Sequence, residues 1–493
     1  MVKKQGLPGS AVVVVLVAAG VLGAVTACIR MPEVTGPAPV APAHKEDRTT
    51  VEPFKLKPDW EGPCARAEAV DVNLGNTPAS FVRAAHCQVT GEPATDKDVE
   101  LWTERMRDEY YVRRIDVVRS LCKEAKRDCK LAYSDPWVAE PDLDGSPPER
   151  HTKRDVGAVV MFFFDCPRDT NCQMDWANTH APGMNTPSPS LGAKANVGAD
   201  GSGYYHPSNP GFWRRELSDA KYAGLSFLMP NAYGPDIEKG RLKPLEEALD
   251  AVDHPGDPIK IGLFDDTWTW GQPEFGGVDV YRDVWKHRPD LSDVDGTAKL
   301  IFENKWKPFF SQIDRKHWYR FGGKPFIYFY NAGTLEPRTK AAPVIAKLKQ
   351  LFKNEFGEEP FVDVDIAFFD DPAMPDVADA RFKWMTFDVP QRRYREQLGG
   401  HVIDHAMVRW DAINRDRPGQ LATKFDRCVK GGQVLERVLR DSQDAELLVL
   451  ATWNDLGEGT GVGRNYDYWV DGHWLPPHYF MQLIRNSQRD GKR

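Results

Sequence analysis

The stretch 447–460, LLVLATWNDLGEGT, decides how this chain is read. Leu447, Leu448, Val449 and Leu450 run without a polar break, as a strand covered on both faces does. Trp453, Asn454, Asp455 and Glu458 follow at once. In parallel α/β architectures the chemistry sits at the C-terminal ends of the strands. Two carboxylates three residues apart are the pair that cleavage of a glycosidic bond requires. Asp455 and Glu458 are therefore the candidate catalytic pair, and Trp453 and Asn454 candidate sugar contacts. An acid that protonates a leaving oxygen near neutral pH needs a raised pKa, which a second carboxylate and burial against an indole both supply. A D-x-x-E spacing also starts helices, but here it follows a strand end and a Trp-Asn pair.

Working outward, apolar runs recur from about residue 155 to the end. They are 157–165 (GAVVMFFFD), 224–230 (GLSFLMP), 259–265 (IKIGLFD), 324–330 (KPFIYFY) and 361–369 (FVDVDIAFF), then 382–387 (FKWMTF), 404–410 (DHAMVRW) and 446–453 (ELLVLATW). Helical patterns separate most of them: 214–222, 236–251, 297–321, 339–356 and 424–440. Eight strands alternating with helices predict an α/β fold, a (β/α)8 TIM-like barrel with a small N-terminal helical extension. An open doubly wound sheet would carry a Gly-rich phosphate turn after an early strand, and the sequence has none.

Each run ends in a polar residue. Asp165 closes the first and Asn231 follows the second. Asp265, Asp266, Trp268 and Trp270 follow the third, Asn331 the fourth, Asp370 and Asp371 the fifth, and Asp388 the sixth. Trp410 and Asp411 end the seventh. In a barrel these converge on one rim, so Asn231, Asp265, Asp266, Asn331, Asp165, Trp268, Trp270 and Trp410 join the candidate substrate contacts. Trp176 joins them from the loop 166–185, beside Asp175, Asn178 and His180. Asp363 and Asp365 share one strand face, and buried carboxylates need partners, for which Arg or Lys are the expected source. Asp293-Val294-Asp295-Gly296 has the start of a calcium loop without its remaining ligands, so no metal is expected, nor any cofactor.

The N-terminus reads as a targeting segment. Lys3 and Lys4 precede an apolar run, 11–25, that is short of the ~20 residues a membrane span needs. It ends in Val25-Thr26-Ala27-Cys28, which resembles a bacterial lipobox and implies lipidation of Cys28. Residues 1–28 are thus expected to be a lipoprotein signal peptide and 29–52, with Pro32, Pro37, Pro39 and Pro42, an extended linker. Residues 53–150 read as an N-terminal cap with one amphipathic helix over 96–126, and 151–493 as the barrel domain. The implied location is the bacterial cell envelope, on the outer membrane or cell surface, with the membrane contacted through the lipid alone. Export permits disulfides, and close spacing suggests Cys64–Cys87, Cys122–Cys129 and Cys166–Cys172, with Cys428 left as a thiol. A net charge of -8 argues against nucleic acid as a partner. Fifteen tryptophans suit a polysaccharide or oligosaccharide partner, although most tryptophans in any protein pack into cores.

Trp453-Asn454-Asp455-Leu456-Gly457-Glu458 resembles the W-N-D-x-G-E segment of glycoside hydrolase family 71, the α-1,3-glucanases. Through Gly459-Thr460 it also resembles the N-E-W-x-E-G-T segment of family 99, the endo-acting α-mannosidases. AKYAG at 220–224, FDDTWTW at 264–270 and Gly323-Lys324-Pro325 are compatible with that group. The chain as a whole looks like the bacterial domain of unknown function 5010. The resemblance, over about 155–485, implies a TIM-like barrel acting on α-linked glycans, with Glu458 protonating the leaving oxygen. Asp455 would activate water in a family-71-like route or assist attack by the sugar's own 2-hydroxyl in a family-99-like route. Asp in place of Glu departs from family 99, and Gly459 departs from family 71, so retaining and inverting outcomes both stay open. The function expected is a surface-anchored glycoside hydrolase. The alternative is a non-catalytic carbohydrate-binding lipoprotein.

Overall fold

The computed structural model describes residues 78–108, 114–126, 147–149, 152–161, 210–232, 235–252, 259–267, 289–331, 335–384, 386, 393–408, 432–454, 460–464, 469–470, 473–474 and 478–489. Three helices come first: α1 (Pro78–Thr90), α2 (Asp96–Asp108) and α3 (Arg114–Glu124). Phe81, Val82, Ala85, Trp102, Val117 and Leu121 pack into a small core of their own. In the region expected to form one helix over 96–126, α2 and α3 are helical on either side of residues 109–113, which lie outside the described residues; Trp102 and Leu121 are inside and Leu101 is 48% exposed. Thr95 caps α2 rather than Asp96: its Oγ1 accepts from the amide of Asp98, whose carboxylate accepts from the Thr95 amide in return. Cys87 and Cys122 are buried and disulfide-bonded. The pairings expected for them each need a residue outside the described set.

Eight parallel strands follow: β1 (Asp155–Val160), β2 (Phe227–Ala232), β3 (Leu263–Asp266), β4 (Lys324–Tyr330), β5 (Phe361–Asp365), β6 (Ala380–Phe382), β7 (Ile403–Ala406) and β8 (Leu447–Leu450). Their order is β6-β5-β4-β3-β2-β1-β8-β7. Consecutive strands are neighbours, and the first lies between the second and the last. The sheet is rolled, because His405 on β7 comes within 3.4 Å of Asp363 on β5. Between β6 and β7 the barrel is joined by side chains: the Met407 amide donates to Thr386 Oγ1 at 3.0 Å. Beyond β7 the antiparallel Tyr394–Glu396 adds an edge, tied to β6 by Arg381 and Glu396.

Helices cover the outside: α4 (Pro210–Ala223), α5 (Pro235–Val252), α6 (Val294–Ile301), α7 (Lys307–Gln312), α8 (Ala341–Phe356), α9 (Gln433–Asp441) and α10 (Tyr479–Arg489). In α8, Ala341, Val344, Ile345, Leu348, Phe352 and Phe356 recur at helical spacing and are all buried. The helix expected over 297–321 is three pieces. Phe302–Trp306 forms a π turn, with the Lys307 amide donating to Phe302 O. Pro308 has no amide to give the Asn304 carbonyl, so the regular pattern breaks there. Residues 313–321 hold a 3-10 turn and the antiparallel strand Arg320–Phe321 instead. Between β5 and β6 the crossover is 3-10 turns alone.

The barrel interior is aromatic. Near the N-terminal ends Phe227 stacks on Tyr319 with ring centroids 3.6 Å apart and meets Phe326, which stacks on Phe361. Gly157 makes room for this layer. A Cβ there would stand 2.1 Å from Phe227 Cζ. One layer up, Tyr328 stacks on Phe382 at 3.6 Å, beside His405. At the C-terminal ends Trp384 packs on Phe264 and Tyr330, each at 5.0 Å.

Candidate functional site

The segment after β8 is anchored at the C-terminal mouth from both sides. The Trp453 amide donates to Val159 O at 2.6 Å, so β8 stays paired with β1 past its last ladder residue. The Asn454 side chain continues the ladder: Oδ1 accepts from the Met161 amide at 2.6 Å, and Nδ2 donates to Met161 O at 2.9 Å. The carboxamide supplies one donor and one acceptor in a single plane at any pH, which a carboxyl does only while protonated. The chain then returns. The Val462 amide donates to Thr452 O at 3.1 Å, the Gly463 amide to Trp453 O at 2.7 Å, and the hydroxyls of Thr452 and Thr460 are 2.8 Å apart. Gly463 is required here, since a Cβ would lie 2.9 Å from Trp453 O and from its ring. Asp455 and Glu458 fall between these two flanks, outside the described residues.

Asn231 and Asp266 face the barrel axis at the same mouth. Asn231 Nδ2 donates to Asp266 Oδ2 and to Met161 Sδ, each at 3.3 Å. Asn331 holds the turn after β4, its Oδ1 within 3.5 Å of Thr267 Oγ1 and of the Leu335 amide. Two expected sugar contacts face the other way. Asp265 alternates with Asp266, so its carboxylate enters the helix layer, where Lys305 Nζ (2.8 Å) and Trp306 Nε1 (2.7 Å) hold it. Trp453 is 1% exposed, and its indole donates to Glu216 Oε2 on α4 at 2.5 Å. Neither offers a face to a sugar, which corrects the expectation for both. The π turn is what aims consecutive Lys305 and Trp306 at one carboxylate. Asp165, Trp176, Trp268, Trp270, Trp410 and Cys28 lie outside the described residues.

Asp363 and Asp365 share the inward face of β5, as alternation requires. Among the described residues no Arg or Lys pairs with Asp363; His405 Nε2 is its neighbour, 3.4 Å away. Burial, with Glu396, Asp379 and Asp365 adding negative charge, pushes the Asp363 carboxyl well above its ordinary value. Burial lowers the His405 imidazole to about 3. Asp365 sits at the mouth, accepts from the Ala367 amide at 2.7 Å, and burial raises it to about 7. It is therefore a carboxyl that holds a proton near neutral pH at the end of the barrel where Asn231, Asp266, Trp384 and Asn454 gather. The sequence signal for it was the two-residue Asp repeat in β5. Trp384, inside a predicted strand, and Tyr330 carried none.

A second charged cluster belongs to the opposite end. Glu246 and Asp250 on α5 and His317, before β4, bring one ligating atom each within 4.8 Å of one another. Asp250 Oδ1 already accepts from Lys316 Nζ at 2.7 Å and faces His317 Nε2 at 2.9 Å, so the group works as an ion-pair cluster. The Asp293 motif is a helix cap: its carboxylate accepts from the Gly296 amide and starts α6.

Residues 201–486 match the family described as Domain of unknown function (DUF5010). No curated protein matches the chain. Among solved structures, the GH99 endo-alpha-mannosidase from Bacteroides thetaiotaomicron is similar at 11% identity and a TM-score of 0.42. The likeness covers 68% of this chain and 95% of that one. The same enzyme in complex with BIS-TRIS-Propane gives 11%, 0.42, 67% and 95%. A glycoside hydrolase-like protein gives 14% identity and 0.41, over 71% of this chain and 98% of that one. TM-scores this low decide neither fold nor activity; the barrel is read from the strand order and from the contacts that bring β5, β6 and β7 together.

Proposed function

We propose that this chain, which belongs to the family described as Domain of unknown function (DUF5010), is a glycoside hydrolase acting on an α-linked polysaccharide or glycan. Glu458 is the acid that protonates the leaving oxygen, and Asp455 the second carboxylate. One observation carries the reading: of the described residues on either side of 455–459, Asn454 is tied to Met161 at the C-terminal end of β1 and Thr460 to Thr452 just past the C-terminal end of β8. In parallel barrels that end bears the active site. The W-N-D-x-G-E resemblance supplies the chemistry, and the mouth supplies polar groups for sugar hydroxyls in Asn231 and Asp266, with Asp365 as a third acid.

Two carboxyl groups ~5–5.5 Å apart give retention, and ~6.5–9.5 Å leaves room for a water and gives inversion. The lipobox resemblance at Cys28 supports export and anchoring at the bacterial envelope, so the substrate is extracellular or periplasmic glycan. The test is purified protein on a panel of α-glucans and α-mannans with detection of new reducing ends. Turnover by wild type, lost in Glu458→Gln and Asp455→Asn with the melting temperature and glycan binding retained, is the expected outcome. Glycan binding without cleavage by wild type would overturn the assignment in favour of a carbohydrate-binding lipoprotein.

A further inference from the structure

Outside the barrel, α4 carries two buried carboxylates that touch the segment before and the segment after 455–459. Glu216 accepts from Trp453 Nε1 at 2.5 Å. Asp219, one turn on, accepts from Arg464 through two parallel bonds, Nε at 2.8 Å and Nη2 at 2.6 Å. Residues three apart on a helix share a face, so a single rigid element holds both flanks. All four side chains are buried. Between the two contacts, the amides of Val462 and Gly463 close the neck of the segment onto Thr452 O and Trp453 O.

We propose that Glu216 and Asp219 are positioning residues that lock the neck formed by residues 452–453 and 462–464, and through it act on the acid/base pair carried between them. The inference rests on the reading of Asp455 and Glu458 as the acid/base pair. A fork-to-fork Arg–carboxylate pair fixes orientation as well as distance. The indole contact fixes the other side of the neck. A helix that also packs on the barrel thus carries the register of the sheet to the reacting groups. Nothing in the sequence marks it, because Glu216 and Trp453 are 237 positions apart, Asp219 and Arg464 are 245 apart, and α4 reads as an ordinary amphipathic helix.

Other charges face this pair. Arg215 Nε lies 3.5 Å from Asp219 Oδ2, and the His478 imidazole is lowered to about 4, by burial first and by Arg464 second, with Asp219 opposing. The Glu216 carboxyl is raised to about 7, by burial first and by Asp219 second, with the Trp453 bond and the two arginines opposing. Glutamine at this position keeps the acceptor for the indole and removes the titration; leucine removes both.

The experiment compares wild type, Asp219→Asn, Arg464→Lys, Glu216→Leu and Glu216→Gln. It reads kcat and KM on the α-glycan that wild type cleaves, and amide hydrogen exchange over the whole chain. A misplacement of ~1 Å at reacting groups costs on the order of 100-fold in rate. The expected result is therefore a kcat lowered about 10- to 100-fold in Asp219→Asn and Glu216→Leu, with KM within about twofold. Exchange should rise at Val462 and Gly463 while the amides of β1 and β4 keep their protection, and Glu216→Gln should restore most of what Glu216→Leu loses. Arg464→Lys keeps the charge but not the fork, and gives the same pattern if Asp219→Asn does not fold. Unchanged exchange at Val462 and Gly463 overturns the clamp. Raised exchange with unchanged kcat overturns the positioning role. If wild type cleaves no glycan, it is the hydrolase reading that fails, and exchange alone then decides whether α4 holds the neck.

Discussion

Lys305 Nζ lies 2.8 Å from Asp265 Oδ1, and neither side chain reaches solvent. Trp306 Nε1 takes the other carboxylate oxygen, and Lys305 Nζ donates also to Asp266 O at 2.6 Å. The ion pair therefore fixes the backbone of β3 at the point where Asp266 turns into the mouth. Removing one partner of a buried pair leaves an uncompensated charge and costs about 3–5 kcal/mol. Lys305→Ala is expected to lower the urea midpoint by that order, and Asp265→Asn by less, since the amide still accepts from Trp306. Turnover per folded molecule should change little in Asp265→Asn. Lost turnover at an unchanged midpoint would show that Asp265 meets substrate after all.

Gly157 offers a sharper packing test. A Cβ at this position overlaps the Phe227 ring at 2.1 Å, and that ring is held from its other side by Tyr319. Forcing a methyl into a packed core costs typically about 1–3 kcal/mol. Gly157→Ala should sit at the top of that range, and Gly157→Ala with Phe227→Leu should recover part of it. Equal stabilities for the single and double variants in denaturant titration would mean that the ring is free to move aside.

The strands were legible because burial on both faces writes itself as uninterrupted apolar runs, and β4 begins and ends where 324–330 does. Their ends were less so. The run 361–369 stays apolar while its backbone leaves β5 at Asp365 for a 3-10 turn, since hydrophobicity reports burial and not the ladder. Which face a polar residue takes was out of reach wherever two stand together. Asp265 and Asp266 look alike in sequence and differ by half a pleat in space. Trp453 was read as a sugar platform because an indole beside a carboxylate suits that role. Its partner Glu216 is 237 positions away, and no local pattern announces it.

Stability should fall across the near-neutral range because of Glu216 and Asp365. Both carboxyls are raised to about 7 in the folded chain, from ordinary values of 4.5 and 3.8. A raised acid favours the protonated form in the native state. Its contribution is complete below the unfolded value and is lost as pH rises through about 7. Each group accounts for something on the order of 3 kcal/mol over that window. Chemical denaturation at steps from pH 4 to pH 8 should show this decline in wild type and a shallower one in Glu216→Gln and in Asp365→Asn. Parallel curves for all three proteins would contradict the burial argument.

His405 gives the opposite limb, while Asp363, a raised carboxyl, has the same sign as Glu216 and Asp365. Asp363 Oδ2 lies 3.4 Å from His405 Nε2, and neither oxygen of Asp363 has another partner. Tyr328 OH is 3.2 Å from His405 Nδ1 on the far side of the ring. With the carboxyl raised and the imidazole lowered to about 3, both groups are neutral side by side, and the ring's hydrogen bond is the one between Nδ1 and the Tyr328 hydroxyl. This is the neutral arrangement that costs least in an apolar barrel. A depressed imidazole contributes stability that is full above its unfolded value near 6.5 and is lost as pH falls toward 3. Asp363→Asn keeps the volume and the neutral charge and should cost under about 1.5 kcal/mol, whereas Asp363→Ala leaves a cavity in the packed interior and should cost about 2–4 kcal/mol. Nitrogen NMR of His405 reads the protonation state directly. The ring should remain neutral throughout pH 5–8. A titration midpoint between 6 and 7 would show that the imidazole is open to water and not sealed in a closed barrel.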